Sequence, residues 1–112
     1  MPELTHTEYV QSVRREAAEL AARVLAGEAC ILESSHRMYG LLGRAELPET
    51  DPVVETFRLV SSDIDRLPVG SVRQHWAPEA LAELEPALAS AKEWALPMVR
   101  EACADVVQRF GA

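Results

Sequence analysis

The chain has 112 residues and a formal net charge of −7, from 18 Asp and Glu residues against 11 Lys and Arg residues. This length fits one domain, residues 1–112, with a single hydrophobic core and a radius of gyration of roughly 13 Å. The acidic charge argues against direct nucleic-acid binding, because phosphate contacts need Lys and Arg to displace condensed counterions, and it favours a basic partner.

The first predicted element is a helix over residues 6–26. Thr5 and Glu8 have the spacing of a capping box at its start, and Gly27 is expected to close it. Apolar residues then recur on one helical stripe. They are Tyr9, Val13, Ala17, Leu20 and Val24.

The N-terminal segment also bears on the cellular compartment. It lacks the basic start and apolar stretch of a signal peptide, and no apolar run approaches the ~20 residues that span a bilayer. We therefore expect a cytoplasmic protein without a membrane segment. Cys30 and Cys103 each fall in a helical apolar pattern, which predicts two buried, reduced thiols.

A second helix is predicted over residues 28–42, ending near Gly43. The segment RAELPETDP follows, and its charge, two prolines and lack of periodicity predict a loop. This loop delivers Asp51 as N-cap and Pro52 as first residue of a third helix over residues 52–65. The apolar residues of that element are spaced by four, three and four, as in a helix, although their β-branching leaves a short strand as an alternative.

The chain from Pro78 onward has a helical pattern to its end. A single helix over this stretch would be ~50 Å long, which exceeds the expected domain. Pro86 is therefore predicted to begin a new helix, so that the fourth helix covers residues 78–85 and the fifth covers residues 86–110. Pro97 lies inside the fifth helix and predicts a kink, because it removes a backbone donor.

These patterns together predict an all-α, single-domain bundle of five helices, in which the first, second, third and fifth enclose the core. Eight residues are expected to be buried. They are Val13, Leu20, Leu32, Phe57, Val60, Leu88, Val99 and Val106.

The least helical run is SSDIDRLPVGSVRQHW, which carries Asp63, Asp65 and His75. A calcium loop of EF-hand type would also need a third oxygen ligand two residues further on, a glycine and a distant glutamate, and these are missing. The two aspartates are therefore interpreted as the end of the third helix, where they cap loop amides and pair with Arg66 or Arg73. The alternative is an acid–base or metal-assisted site formed by Asp63, Asp65 and His75.

No other catalytic pattern is present in the sequence. The histidines are too far apart for a zinc motif, and there is no glycine-rich phosphate loop or dinucleotide fingerprint. The candidate nucleophiles lack a glycine-flanked elbow or a neighbouring base in sequence. They are Ser61, Ser62, Cys30 and Cys103. We therefore expect no enzymatic activity, no metal and no cofactor.

Acidic residues form two groups. The first, here called the acidic ridge, lies on the fourth and fifth helices and consists of Glu79, Glu83, Glu85, Glu93 and Glu101. The second, here called the loop cluster, surrounds the start of the third helix and consists of Glu46, Glu49, Asp51 and Glu55. Such groups are either solvated faces or docking surfaces for a basic protein.

Two tryptophans carry structural and binding hypotheses. Trp76 precedes the cap of the fourth helix, where it is expected to fold onto Leu81 as a hydrophobic staple. Trp94 is either a core residue or a partly exposed anchor of the type that interfaces favour.

Three segments carry a resemblance: ILESSHRMYGLLG, SDIDRLPVGSVRQHWAPEAL and AKEWALPMVREACADVVQRF. Over residues 16–110 the chain resembles a group of small bacterial helical proteins of unknown function. The shared pattern is an acidic and hydrophobic segment, a Leu-Pro-x-Gly turn, and a tryptophan before a Pro-Glu-Ala-Leu helix start. A serine usually precedes that proline, where this chain has Ala77. The resemblance implies a bacterial origin and transfers no catalytic residues.

The sequence thus predicts a non-catalytic bacterial protein-binding module, with an immunity-type inhibitor of a basic toxin as its sharpest version. The residues expected to contact the partner are Glu79, Glu83, Glu85, Trp94, Asp63 and Asp65. The alternatives are a small enzyme or metal-binding protein using the Asp63, Asp65 and His75 corner, or a scaffold or regulatory protein that forms a homodimer through its fifth helix.

Overall fold

The computed structural model describes residues 5–65, 67 and 74–111. In these residues it contains four α-helices and no strand. They are α1 (His6–Leu25), α2 (Ile31–Arg44), α3 (Pro52–Asp63) and α4 (Pro78–Phe110). The all-α class is confirmed, and the alternative of a strand in place of the third helix is wrong. Helix α4 packs against the other three helices, while α2 packs against α1 and α3.

The predicted break at Pro86 is wrong, because α4 is one helix of 33 residues that contains both Pro86 and Pro97. The two prolines are exposed and lie eleven residues apart, about three turns, so their rings occupy the same solvent side. The carbonyls that lose a partner belong to the exposed residues Ala82 and Glu93, where water can hydrate them. The kink expected at Pro97 stays a prediction.

The length of α4 also explains the overall dimensions. At ~1.5 Å per residue a helix of this size is about 50 Å long, and the longest extent of the molecule is 50 Å. The radius of gyration is 15.2 Å, above the value expected for a rounder domain of this size. No side chain between Pro78 and Ala87 is buried, so the first ten residues of α4 lie outside the core that begins at Leu88.

The helix ends follow the predicted capping chemistry closely. The Thr5 hydroxyl accepts from the Glu8 amide, and the Asp51 carboxylate accepts from the Val53 amide, with Pro52 as first residue of α3. Gly27, with φ +76°, ends α1 in a Schellman arrangement. Helix α2 ends in the same way, but there the left-handed residue is Glu46, with φ 66°.

The core lies where α4 crosses the other helices, and all eight residues predicted to be buried are buried. Cys103 belongs to this core, and its burial raises the pKa of the thiol to about 11. The prediction that Cys30 is buried is wrong. Cys30 is exposed at the N-cap of α2, one residue before the apolar stripe of that helix begins. Leu81 and Leu84 are half-buried and do not belong to the core cluster.

Two arginines connect the ends of the helices. Arg14 of α1 donates to the Ala45 carbonyl that follows α2, and its guanidinium lies 5.3 Å from the centre of the Phe110 ring. Arg109 of α4 donates to the Asp51 carboxylate at 2.7 Å. Among the described helices, none has both the length and the apolar character that a bilayer span requires.

Candidate functional site

One face of α4 carries three of the residues predicted to contact a partner. Glu79, Glu83, Ala87, Ser90 and Trp94 are spaced by four, four, three and four residues, which places them on one side of a continuous helix. All five are exposed, and Trp94 keeps 41% of its surface accessible. From Glu79 to Trp94 this face runs for roughly 22 Å. We call these five residues the α4 face.

Glu85 does not belong to the α4 face, so the predicted acidic ridge is not a single surface. Two residues along a helix turn the side chain through about 200°, and Glu85 is therefore directed away from Glu83. Glu93 and Glu101 are exposed further along the helix, and Glu101, eighteen residues beyond Glu83, lies on the same side of α4 as Glu83 but about 27 Å away along the axis. Of the acidic ridge that was predicted for two separate helices, only Glu79 and Glu83 share one side at the start of α4.

The α4 face leads into a groove between the end of α3 and the middle of α4. Its volume is about 300 Å³. The residues that line it are Asp63, Leu67, Ala87, Ser90, Ala91 and Trp94. The small side chains on α4 leave space between the helices, the Trp94 ring supplies an aromatic wall, and Asp63 supplies a carboxylate. The groove therefore brings together Asp63 and Trp94, which are 31 positions apart in sequence.

The Asp63, Asp65 and His75 corner is exposed at all three side chains. In the described part of the chain, no three His, Cys, Asp or Glu side chains lie close enough together to hold a metal ion. Leu67 is half-buried against the core, and its amide donates to the Ile64 carbonyl, as expected for a structural turn. The remainder of that turn, residues 68–70, and the proposed arginine partners Arg66 and Arg73 lie outside the described residues.

Three of the four carboxylates of the loop cluster are held by contacts within the chain. Glu46 contacts His6, and both carboxylate oxygens of Glu49 accept from the Tyr39 hydroxyl at 3.2 Å. Asp51 caps α3 and binds Arg109, which also pairs with Asp105. The Arg109 hydrogen bond holds the pKa of the Asp51 carboxyl below its usual range and raises the pKa of the arginine. The pKa of Tyr39 is raised, mainly by desolvation and then by its contact with Glu49.

A histidine and a serine that had no partner in the local sequence meet between α2 and α3. His36 Nδ1 and Ser61 Oγ share a hydrogen bond, and both residues are half-buried. This pair supplies the base that Ser61 lacked in sequence, and its members are 25 positions apart, so no local pattern indicated it. Neither residue lines the α4 groove or the larger cavity between the start of α3 and the end of α4. The bond therefore joins two helices without facing either cavity.

That larger cavity has a volume of about 410 Å³ and lies at the opposite end of the α3–α4 contact. Glu101 and Asp105 border it beside Met98 and Thr56. Asp105 is paired with Arg109, and the Thr56 hydroxyl donates to the Pro52 carbonyl. Two of its polar groups, Asp105 and Thr56, thus already have partners within the chain, whereas Asp63 at the other groove has none among the described residues.

Within the described part of the chain, Asp63 forms no hydrogen bond or ion pair, and Trp94 forms no hydrogen bond. An exposed aromatic ring and a carboxylate at one groove suit a ligand with two properties. It has a flat or apolar surface that packs on the ring, and it carries a positive charge that pairs with the carboxylate. Comparison of the chain with protein-family models, with curated proteins and with solved structures found no match.

Proposed function

We propose that the protein is a non-catalytic module that binds a basic protein through the α4 face. The observation that carries this proposal is that Glu79, Glu83 and Trp94 share one side of a single helix, which runs into the groove bordered by Asp63. Carboxylates beside an exposed tryptophan combine the charge that steers a basic partner with the aromatic anchor that dominates many interfaces.

The charge around this face supports a basic partner over a second copy of the chain. The sequence contains no Lys or Arg between Gln74 and Ala91. Two copies paired through their α4 faces would bring the same glutamates together without a compensating Lys or Arg from that stretch, and like charges in an interface oppose association. A homodimeric scaffold would therefore have to use another surface. Light scattering tests that alternative, because a dimer has twice the 12.3 kDa mass of the chain.

An immunity-type inhibitor of a basic toxin is the sharpest form of this proposal. A toxin that acts on nucleic acid has a cationic cleft, and an exposed helix with carboxylates can occupy the positions where phosphates would bind. The Asp63, Asp65 and His75 corner receives less support as an enzyme or metal site, because its three side chains are exposed and do not gather into a metal-binding group among the described residues.

The direct test is affinity capture from a lysate of the source organism, followed by binding measurements with the purified partner. The double variant Glu79→Gln and Glu83→Gln is expected to bind more weakly and with a smaller dependence on salt. The matched control is Glu33→Gln with Glu55→Gln, which changes the net charge equally on exposed positions of α2 and α3. If the Glu79 and Glu83 double variant binds the partner as tightly as the Glu33 and Glu55 control does, the α4 face is only a solvated surface.

A further inference from the structure

We infer that the groove between α3 and α4 is a binding site for the guanidinium group of an arginine side chain, with Trp94 as stacking surface and Asp63 as counter-ion. This inference rests on the proposed function, because it names the group of the basic partner that the groove receives. The site is formed by residues on both helices and by Leu67 of the following turn.

The composition of the groove fits a planar cation. Arginine stacks on indole rings more often than lysine does, and its fork of donors matches a carboxylate. Trp94 keeps 41% of its surface accessible at the groove. The volume of about 300 Å³ is enough for one long side chain, and the small residues Ala87, Ser90 and Ala91 leave the path along α4 open.

The position of Asp63 supports a binding role over a structural one. Asp63 is the last residue of α3, where the negative end of the helix dipole disfavours a carboxylate. Within the described part of the chain it has no ion pair or hydrogen bond that would offset this effect. No cation among the described residues meets this carboxylate, so a cation of a bound partner would offset the effect of the helix dipole.

The surroundings of the groove direct an arginine toward it. Glu83 lies one turn before Ala87 on the α4 face, and Asp65 is exposed two residues beyond Asp63. The nearest described cation on α4 is Lys92, which at ~100° per residue is turned about 160° away from Ser90 and about 180° away from Glu83 around the helix axis. A guanidinium near the groove thus meets carboxylates from α3, α4 and the turn.

The test uses the full chain, labelled with ¹⁵N and carrying Trp76→Phe so that Trp94 has the only indole signal. The probes are the capped tripeptides acetyl-Ala-Arg-Ala-amide, its lysine analogue and its citrulline analogue, which keeps the shape of arginine without the charge. Arginine is expected to shift the indole signal saturably, with a dissociation constant on the order of millimolar. Lysine should bind more weakly, and citrulline should produce no saturable shift.

Two variants locate the site. Asp63→Asn is expected to weaken arginine binding about fivefold, which is the upper range for a partly exposed ion pair, while the control Asp65→Asn changes it by less than about twofold. Trp94 reports the binding and cannot be replaced in this experiment, so Ala87→Leu serves as the second variant, because its side chain fills the groove and should abolish the shift. Circular dichroism checks that both variants keep the helical fold.

The inference is overturned if citrulline binds as tightly as arginine, if lysine does so, or if Asp63→Asn has no effect. Failure of the arginine probe together with retained sensitivity of partner capture to Glu79→Gln and Glu83→Gln would overturn this inference alone. Partner capture that is insensitive to those glutamates would overturn the proposed function, whatever the result with the peptides.

Discussion

The loop cluster and the α4 face both carry acidic side chains but differ in what their carboxylates contact. Glu46, Glu49 and Asp51 bind a histidine, a tyrosine and an arginine of the same chain. Glu79 and Glu83 have no ion pair among the described residues, and the sequence around them contains no arginine or lysine. The role of an acidic residue therefore depends on the partners that the fold brings to it. Among the described residues, most carboxylates of the loop cluster are engaged within the chain, whereas Glu79 and Glu83 keep their charge available for another molecule.

The largest effect is expected from Asp51, where the loop cluster stabilises the fold. Asp51→Ala removes the N-cap of α3 and the partner of Arg109, and should lower the free energy of unfolding by about 1–2 kcal/mol. Asp51→Asn keeps an N-cap oxygen and should recover about half of that loss. Urea denaturation measures both. A loss below about 0.3 kcal/mol for the alanine variant would remove the distinction between the two acidic groups.

The acid stability of the protein should depend on the same side chain. The pKa of Asp51 is lower in the folded chain than in the unfolded chain, chiefly because of Arg109. The contribution of Asp51 to the free energy of unfolding is therefore complete above its pKa in the unfolded chain, about 4. It is lost as the pH falls through its pKa in the folded chain. Thermal unfolding measured between neutral pH and strongly acidic pH should show a smaller acid-induced decrease in Asp51→Asn than in the parent chain.

A gain in stability is expected from a substitution at Glu46, a second member of the loop cluster, because of its backbone conformation. Its φ of 66° lies in the left-handed region, where a glycine has no steric penalty. Glu46→Gly should therefore raise the free energy of unfolding by about 0.5–1 kcal/mol, because the lost contact with exposed His6 contributes little. Glu46→Ala, which loses the same contact without gaining the backbone freedom, is the control and should not be stabilised.

The smallest effect on stability is expected on the α4 face. Glu79→Gln with Glu83→Gln should change the free energy of unfolding by less than about 0.5 kcal/mol, since neither residue is buried. The only systematic loss is the interaction of Glu79 with the helix dipole in the first turn. Urea denaturation alongside the Asp51 variants measures this difference. A loss as large as that of Asp51→Ala would mean that these glutamates hold the fold.

The core was predictable because its pattern is local. Residues such as Val13, Leu20, Phe57 and Val60 recur at helical spacing, and burial of that stripe is the only way to remove them from water. The helix caps at Thr5 and Asp51 depend on side chains only two or three residues from their amides, and both were predicted correctly.

The extent of α4 was not predictable from the same rules. Whether a proline ends a helix depends on whether the freed carbonyl faces water, and that depends on which side of α4 the core occupies. The expected domain size then favoured a break that the structure does not have. The faces of two separate helices have no fixed relation, so the shared side of Glu83 and Trp94 could not be recognised until the helix was known to be continuous.

The groove and the His36–Ser61 bond required the tertiary structure. Asp63 and Trp94 each drew attention as single residues, but they meet only because the end of α3 packs beside the middle of α4. His36 and Ser61 likewise lie on different helices. Pairs of this kind produce no periodic pattern in the sequence, because their members belong to different helices that are separated by a loop.

The absence of buried side chains between Pro78 and Ala87 has a consequence for the time-averaged structure of α4. This end is held by propagation of backbone hydrogen bonds from the packed half of the helix, since Ala77 offers no side-chain cap and Pro86 donates no amide. Its amides should therefore exchange with solvent faster than those beyond Leu88. A partner that docks on Glu79 and Glu83 must suppress this fraying, so part of its interaction energy is used to order the helix. Amide exchange at the start of α4 would then slow on binding, even if the average structure of the helix does not change.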